Sequence, residues 1–580
     1  MSAPFVSEGN NARASFTLKL HRGESMVLIA MNWRNGEPPD NFVGWFISYL
    51  EPGGSKPFEL KNRLGFDYRK GQPSEDLAST KVAPIQKFRW VHFPFHAENA
   101  GTFRYKVEPV FMDADGKLSY GEAQEADIDL GIDTYADELN VAFTRGFVSS
   151  QAFVDRYQKD DHTIDELIPD EPDDGLSFKP THPDAAKALA WMGFEAQEAI
   201  IGLLDEAISD KTAKVDAIVY DFNVPEILAK LETLGPRLRI VIDDSKSTTG
   251  GHDRARSPES KAAARLKSAG AQVKRQHMGN LQHNKTVVVR GRSPAALCGS
   301  TNFSWRGLYV QANNAVVVRG EQAAEVFTQA FESYWSAASA KDFRKSPSAT
   351  EPWESLDLPN IKAAATFSPH SKANAVLDTL SAYVSQYTKS NVLFALAFLW
   401  ESKGSLREAI TGLQARDDIF VYGMSDRALG GLDLKLANGH MAVVKPDYLV
   451  DKDTPLPFKA EPSSLSSDNS GTRLHHKFIV TDFDKPNARV YMGSFNFSPT
   501  ADEDNGENLL VFEDQRVATA YMVEALRLFD HYEWRVARHK AKADGKPLVL
   551  KKPPRARGDE PWWKEDWTDK RKAADRLLFS

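Results

Sequence analysis

One phrase occurs twice in this chain of 580 residues, and it limits the possible folds more than any other feature. The first copy reads His283-Asn284-Lys285 and is followed by Gly299-Ser300-Thr301-Asn302-Phe303-Ser304. The second reads His475-His476-Lys477 and is followed by Gly493-Ser494-Phe495-Asn496-Phe497-Ser498. The copies lie a domain's length apart, too far for a solenoid repeat, so tandem duplication of one lobe is the simplest reading. In an extended strand, residues i and i+2 share a face. The histidine and lysine of each copy are therefore expected to project together. Two copies face to face would gather two imidazoles, two ammoniums and two amides around one anionic centre.

The order of elements around each copy agrees with duplication. The first half reads as an amphipathic helix over 184–209, a strand over 215–220, a short helix over 225–233 and a strand over 238–243. The second reads as a helix over 373–387, a strand over 391–398, a helix over 405–415 and a strand over 419–422. Each half then reaches its motif strand, its glycine-serine turn, one more strand and a closing helix. The closing helices end in Phe331-Glu332-Ser333-Tyr334-Trp335 and Phe529-Asp530-His531-Tyr532-Glu533-Trp534. Such alternation predicts α/β sheets covered by helices.

Before these halves, short apolar runs at 16–20, 26–33, 42–50, 88–95 and 102–110 are separated by turn-rich segments, which predicts a β-sandwich. The expected division is a β-sandwich domain over 1–140, a linker and lobe approach over 141–180, a first lobe over 181–345, a second lobe over 346–540, and a basic, tryptophan-bearing strap over 541–580. The acidic, proline-bearing 160–174 reads as a linker or surface loop. Trp562, Trp563 and Trp567 are expected to pack over the lobes, with a lid or an interfacial anchor as the sharper alternative.

Composition removes several classes. A net charge of -8 argues against a globally basic nucleic-acid or membrane binder. The first sixteen residues lack a signal-peptide pattern, and no apolar run approaches the roughly 20 residues that span a bilayer. The single cysteine, Cys298, leaves no internal disulfide and no thiolate metal site; it reads as a small buried hydrophobe. Cytoplasmic residence is the default expectation, with signal-independent export left open.

The residue types of the repeated phrase suit the cutting of a phosphodiester. Lys285 and Lys477 would screen the phosphate charge, and Asn302 and Asn496 would donate to its oxygens; the Ser300 and Ser494 hydroxyls or nearby N–H groups would add donors. One neutral imidazole, His283 or His475, would attack phosphorus and form a phosphohistidine. The opposite imidazolium would protonate the departing oxygen and then activate water. A histidine pKa of ~6.5 suits that duty near neutral pH. No metal and no cofactor are expected.

With every element present twice and in order, residues 180–540 resemble the phospholipase D superfamily. The resemblance implies an α/β fold of two tandem phospholipase D-like α-β-α sandwich lobes, here preceded by an all-β sandwich. It implies a phosphodiesterase site built within one chain, so that an oligomer is not required. It also implies a structural aspartate after each His-x-Lys. Asp482 fills that position in the second half, whereas the first half has Arg290. Within Asn505-Gly506-Glu507-Asn508, the resemblance assigns Glu507 to orienting a histidine, and the equivalent position of the first half is Asn313. The expected pairing is Glu507 behind His475, making His475 the resting acid. His283, supported only by Asn313 or Gln311, would then be the nucleophile, in agreement with the family's habit of using the N-terminal histidine. The opposite roles are also physical, because a carboxylate strengthens a nucleophilic imidazole.

Neighbouring residues carry weaker signals. His476 is expected on the other face of its strand as a core or tuning residue. No metal-ligand spacing joins His252 and His277. Trp305 and Arg306 either line the leaving-group side or pack in their loop. For the substrate, a phospholipid head-group ester is the first expectation, with peripheral membrane contact through the β-sandwich or the tryptophan segment. The alternative is a metal-independent nuclease. The second-half turn resembles the endonuclease branch, and the first half's departures resemble tyrosyl-DNA phosphodiesterases. Arg254, Arg256, Lys261, Arg265, Lys267, Lys274 and Arg275 form a strip able to track a nucleic-acid backbone. A catalytically silent binding protein is the third reading.

Overall fold

Two α/β sheets with one shared strand order carry the two motifs. They are seen in a computed structural model that describes residues 4–66, 77–146, 153, 156–157, 162–247, 251–351, 353–397, 399, 404–425, 443–444, 474–543 and 548–580. The chain divides into two compact units, Asp133–Ala518 on one side and Met1–Ile132 with Thr519–Ser580 on the other.

Within Asp133–Ala518, the first sheet has seven strands in the order Leu139–Phe143, Asn314–Arg319, Ala295–Gly299, Thr286–Arg290, Lys214–Val219, Leu238–Ile242, Gln272–Arg275. The second has eight, in the order Glu354–Ser355, Lys362–Ser368, Glu507–Glu513, Arg489–Gly493, Lys477–Thr481, Asn391–Leu396, Phe420–Met424, Val443–Val444. Apart from one extra edge strand the two orders are the same, as duplication predicts. The central strands are short runs such as Thr-Val-Val-Val-Arg and Asn-Ala-Val-Val-Val-Arg, buried along nearly their whole length. Continuous β-branched runs of this kind fit sheets covered on both faces rather than one. Lys214–Val219 pairs in parallel with Leu238–Ile242 across the helix Pro225–Leu234, and Asn391–Leu396 pairs in parallel with Phe420–Met424 across the helix Ser405–Gln414. Phe398, expected in the strand over 391–398, lies outside the described residues.

The glycine of each turn has a steric reason. Gly299 has φ +145° and Gly493 has φ +155°, and a side chain at either would strike the backbone carbonyl of Asn314 or Asn508. Each turn can thus lie against the neighbouring strand only with glycine there.

Three expected boundaries are displaced. Leu139–Phe143, expected between sandwich and linker, is an antiparallel edge strand of the first lobe, with Leu139 opposite Val318. Its Leu139, Val141 and Phe143 are buried, so leaving them out would expose that edge of the sheet. The acidic segment is more than a surface loop, since it holds single turns at Ile164–Glu166 and Pro172–Asp174 and buries Ile164, Leu167 and Ile168. The helix Gln515–Ala543, expected to close the second lobe, belongs to the other unit from Thr519 onward.

That other unit is the β-sandwich. A four-stranded sheet (Val6–Glu8, Phe16–Gly23, Met26–Trp33, Arg89–His92) and a five-stranded sheet built on Phe42–Leu50 and Gly101–Met112 enclose a core that includes Phe16, Trp45, Phe103 and Tyr105. The tail joins this core. Trp563 is buried in it, Trp562 and Trp567 pack against it, and Trp562 Nε1 donates to the Phe42 carbonyl at 3.0 Å. Arg89 fixes the arrangement by pairing with Asp530 at 2.5 Å and Asp575 at 2.6 Å. No helix among the described residues is long and apolar enough to cross a membrane.

Candidate active site

Both motif histidines stand just before their strands rather than within the ladders. The first ladder strand begins at Thr286, after His283 and Lys285. The lead-ins pair with the opposite lobe: His283 N–H donates to the Gly506 carbonyl at 2.8 Å and His475 N–H to the Ala312 carbonyl at 3.1 Å. The backbone at each histidine therefore stitches the two lobes together, and this crossing decides which residue stands behind which ring.

The expected pairing of histidines and supports is corrected by it. Glu507 lies behind His283, its Oε2 2.8 Å from Nδ1, and Asn313 lies behind His475, its Oδ1 2.8 Å from Nδ1. Each imidazole is oriented by the other lobe, because the lead-in crosses over before its own strand begins. The Ser300 carbonyl is also 3.1 Å from His475 Nδ1. Carboxylate and carbonyl oxygens only accept, so Nδ1 carries the proton in both rings and both Nε2 atoms are left bare. The rings face each other with centroids 6.3 Å apart, close enough for one tetrahedral group to touch both.

The remaining motif residues divide by role. Lys285 Nζ bonds the carbonyl of His283, and Lys477 Nζ donates to the carbonyl of His475 at 2.8 Å, so each pair shares a face as i and i+2 predicts. Asn302 Nδ2 donates to Asp221 Oδ2 at 2.7 Å. The Oδ1 atoms of Asn302 and Asn496 are buried without hydrogen-bond partners among the described residues.

The two serines differ from expectation. Both are fully buried, and their hydroxyls serve the supports: Ser300 Oγ donates to Asn313 Oδ1 at 2.8 Å and accepts from Asn314 N–H at 3.0 Å, while Ser494 Oγ accepts from Asn508 N–H at 3.0 Å. Asp482 accepts the backbone N–H groups of Lys389, Ser390 and Asn391, with the shortest distance 2.7 Å. In the first lobe Arg290 instead pairs at 2.5 Å with the buried Asp216, which also holds Arg239 at 2.7 Å.

Burial sets the electrostatics. It pushes His283 below its ordinary pKa despite the opposing Glu507 charge, with Lys285 acting in the same direction as burial. It pushes His475 well below, helped by Lys477, Lys285 and His283. Burial thus favours the neutral form of both rings. Burial also brings Lys285 down to about 8 and Lys477 well below the ordinary lysine range, the latter helped by Lys285. Burial alone would raise Glu507, but the charge and hydrogen bond of His283, with Lys285 and Ser494, hold it below the usual carboxylate value.

Residues that sequence reasoning missed form the flank of this site. The x residue of each His-x-Lys reaches across the lobes: Asn508 Nδ2 donates to Asn284 Oδ1 at 2.7 Å, and Asn314 Nδ2 lies 3.3 Å from His476 Nδ1. The repeated Asn after Asn313 and Glu507 was the signal available for these pairs. Tyr220 packs between His283 and His252, with centroids 4.8 and 4.7 Å away. His252 lies between Asp243 at 2.8 Å and Asp221 at 3.2 Å. His277 pairs with Asp244 instead and does not join it. Trp305 packs, donating to the Gly175 carbonyl at 3.0 Å, and Cys298 is buried.

Two groups bring possible metal donors within 4.8 Å of one another, Asp221 with His252 and Glu259, and His162 with Glu166 and His182. Burial would lower the His252 pKa, but its bonds to Asp221 and Asp243 raise it well above the ordinary value. His182 is bonded through both ring nitrogens, to the Tyr157 carbonyl and the Asp184 N–H.

Two lobes of one design that each orient the other's histidine define a pseudo-symmetric, two-motif site. The family model described as "Cardiolipin synthase, PLD-like domain" matches residues 204–335 and 456–529, which hold both motifs, in agreement with the resemblance to the phospholipase D superfamily. Similar proteins include a phospholipase D of Rickettsia typhi, 32% identical over 121 residues (19% of this chain, 54% of that protein). Another is a mitochondrial cardiolipin hydrolase of Xenopus tropicalis, 31% identical over 88 residues (15% and 40%). The chain thus spans about half the length of the relatives it matches. Among solved structures, phosphatidylserine synthase of Haemophilus influenzae is similar with a TM-score of 0.38 and 13% identity, covering 67% of this chain and 93% of that one.

Proposed function

We propose that the chain is a phosphodiesterase that hydrolyses a phospholipid head-group ester through a covalent phosphohistidine. The observation that carries this reading is the pair of facing imidazoles whose Nδ1 atoms meet acceptors of the opposite lobe. A bare Nε2 on either side of one phosphate is what attack and proton transfer along a single line require.

His283 is the nucleophile, for a reason different from the one the sequence offered. Its Nε2 attacks phosphorus, the bond to the leaving alkoxide breaks, and the ring becomes a cationic phosphoimidazolium. Glu507, 2.8 Å behind it, is the group that stabilises that charge. His475 has only carbonyl oxygens behind it and gains its second proton when the anionic substrate enters. It delivers this proton to the alkoxide, then takes one from water as the water attacks phosphorus and frees His283. Lys285, Lys477, Asn302 and Asn496 stabilise the phosphoryl oxygens.

A lipid is favoured over nucleic acid because five of the seven cations in the basic strip already hold protein partners. Arg254 pairs with Asp173 at 2.9 Å, Arg265 pairs with Glu232 at 2.7 Å, and Lys261 donates to the Asp173 carbonyl at 3.2 Å. Lys274 bonds the carbonyls of Tyr334, Trp335 and Ala337, and Arg275 those of Asp243 and His252. Phospholipase D and cardiolipin hydrolase, as names of relatives, support the same choice.

The test is to incubate the protein, with chelator present, with mixed phospholipid vesicles and separately with single- and double-stranded DNA and RNA. Head-group alcohol should appear with phosphatidate, and the nucleic acids should stay intact, while His283→Asn releases nothing. Cleaved nucleic acid with intact lipid would reverse the assignment of substrate.

A further inference from the structure

We propose that Asp221 is a charge filter for the phosphate site, a fixed anion beside the oxyanion donors that admits monoanionic phosphodiesters and disfavours dianionic phosphomonoesters. This rests on reading the site as one for phosphodiesters. It deepens that reading, because the product of such a hydrolysis is itself a phosphomonoester.

The geometry begins at Asn302, whose Nδ2 is one of the expected phosphate donors. That donor is bonded to Asp221 Oδ2 at 2.7 Å, so a phosphate oxygen that takes it must lie beside the carboxylate. Asp221 is half-buried, with 28% of its side chain exposed, and its other oxygen is 3.2 Å from His252 Nε2. His252 is fixed in turn by Asp243 at 2.8 Å and lies 3.9 Å from Glu259. Asp243 Oδ1 also accepts Gln282 N–H at 2.6 Å, which ties this chain of charges to the residue before His283. Asp221 therefore keeps His252 as a partner when Asn302 turns to a substrate, and its carboxylate stays at the edge of the site.

Charge follows the geometry. Burial alone would raise the Asp221 pKa, but the hydrogen bond and charge of His252, with Lys285 and His283, hold it below the ordinary value. The matching position of the second half carries no carboxylate in sequence. Ile218 pairs with Thr286 and Ala395 with Phe478, each partner directly following its motif lysine, so Asp221 corresponds to Phe398 in the sequence of the second half. A phenylalanine cannot supply a charge. For two charges a few ångströms apart near a protein surface, one extra negative charge on the ligand costs a factor on the order of 10 to 100 in affinity.

Calorimetric titration with orthophosphate at pH 8 and with dimethyl phosphate tests this on the full chain. Asp221→Asn should tighten orthophosphate more than dimethyl phosphate and move the ratio of their dissociation constants about tenfold or more. Asp221→Glu, which keeps the charge, should leave the ratio near that of the parent. A purely structural role would weaken or strengthen both anions together, so an unchanged ratio in a variant with the parent's melting temperature would overturn the filter. Binding of neither anion, by parent or variant, would overturn it as well. If the parent cleaves no diester but the ratio still moves, the filter stands and the hydrolytic reading falls.

Discussion

Glu507 is the residue on which the chemistry turns. It is fully buried, yet it stays ionised because His283, Lys285 and Ser494 surround it. A buried carboxylate behind one ring and amide and peptide carbonyls behind the other make the histidines unequal where the motifs alone make them equal. In the proposed mechanism the carboxylate matters most when His283 carries positive charge, which is in the phospho-enzyme and the steps flanking it. Replacing it with an amide keeps the hydrogen bond and removes the charge. Glu507→Gln should therefore lower kcat by about 10- to 100-fold, in the range seen for groups that orient a ligating or reacting histidine, with little change in KM. Steady-state kinetics on a soluble phosphodiester checks this. A loss confined to KM would mean that Glu507 shapes the resting site rather than the charged intermediate.

At the level of elements, the two lobes solve one problem in different ways. Each must hold the end of its motif strand against a neighbouring strand. The second lobe does so with Asp482, which gathers the N–H groups at the start of Asn391–Leu396. The first lobe uses a cross-strand ion pair from Arg290 to Asp216, shared with Arg239. Restoring the family's aspartate in the first lobe should therefore harm it. Arg290→Asp would set a carboxylate beside the buried Asp216, and Asp482→Ala would leave buried N–H groups unpaired. Each should cost about 1–3 kcal/mol in urea unfolding. A more stable Arg290→Asp variant would show that the ion pair is incidental. This contrast also shows what a sequence can reveal. The strands, helices and repeated motifs are local patterns, and expected and observed bounds mostly agree within a residue or two, as at Met26–Trp33, Ala185–Ser209 and Ser405–Gln414. Glu507 was legible as an orienting group, but its partner was not, because the crossing at His283 N–H and His475 N–H depends on contacts between segments far apart in the chain. Asp221 lay hidden for the same reason: nothing near it in sequence marks it as a neighbour of Asn302. The tail's tryptophans were misplaced because their composition fits a strap, an anchor or a core equally well.

For the whole molecule, duplication within one chain has a consequence that a single-motif protein would not share. The supports behind both motifs cross between lobes of the same chain, in backbone pairs at Gly506 and Ala312 and in side-chain pairs at Glu507, Asn313, Asn508 and Asn314. Tyr334, on the helix Glu321–Ser336 of the first lobe, adds a hydrogen bond of 3.2 Å to the Glu507 carbonyl. These groups are buried, so separating the lobes would leave several donors and acceptors unpaired at once, at about 1–3 kcal/mol each. The lobes should not exchange between molecules under native conditions. Mixing His283→Asn with His475→Asn, each inactive alone, should thus restore no activity, and the parent's specific activity should not depend on protein concentration. Co-folding the two variants from denaturant supplies the comparison. If activity appeared on simple mixing at native temperature, the site would have to form between chains, and the crossing hydrogen bonds would then be an exchangeable interface rather than the internal seam of one protein.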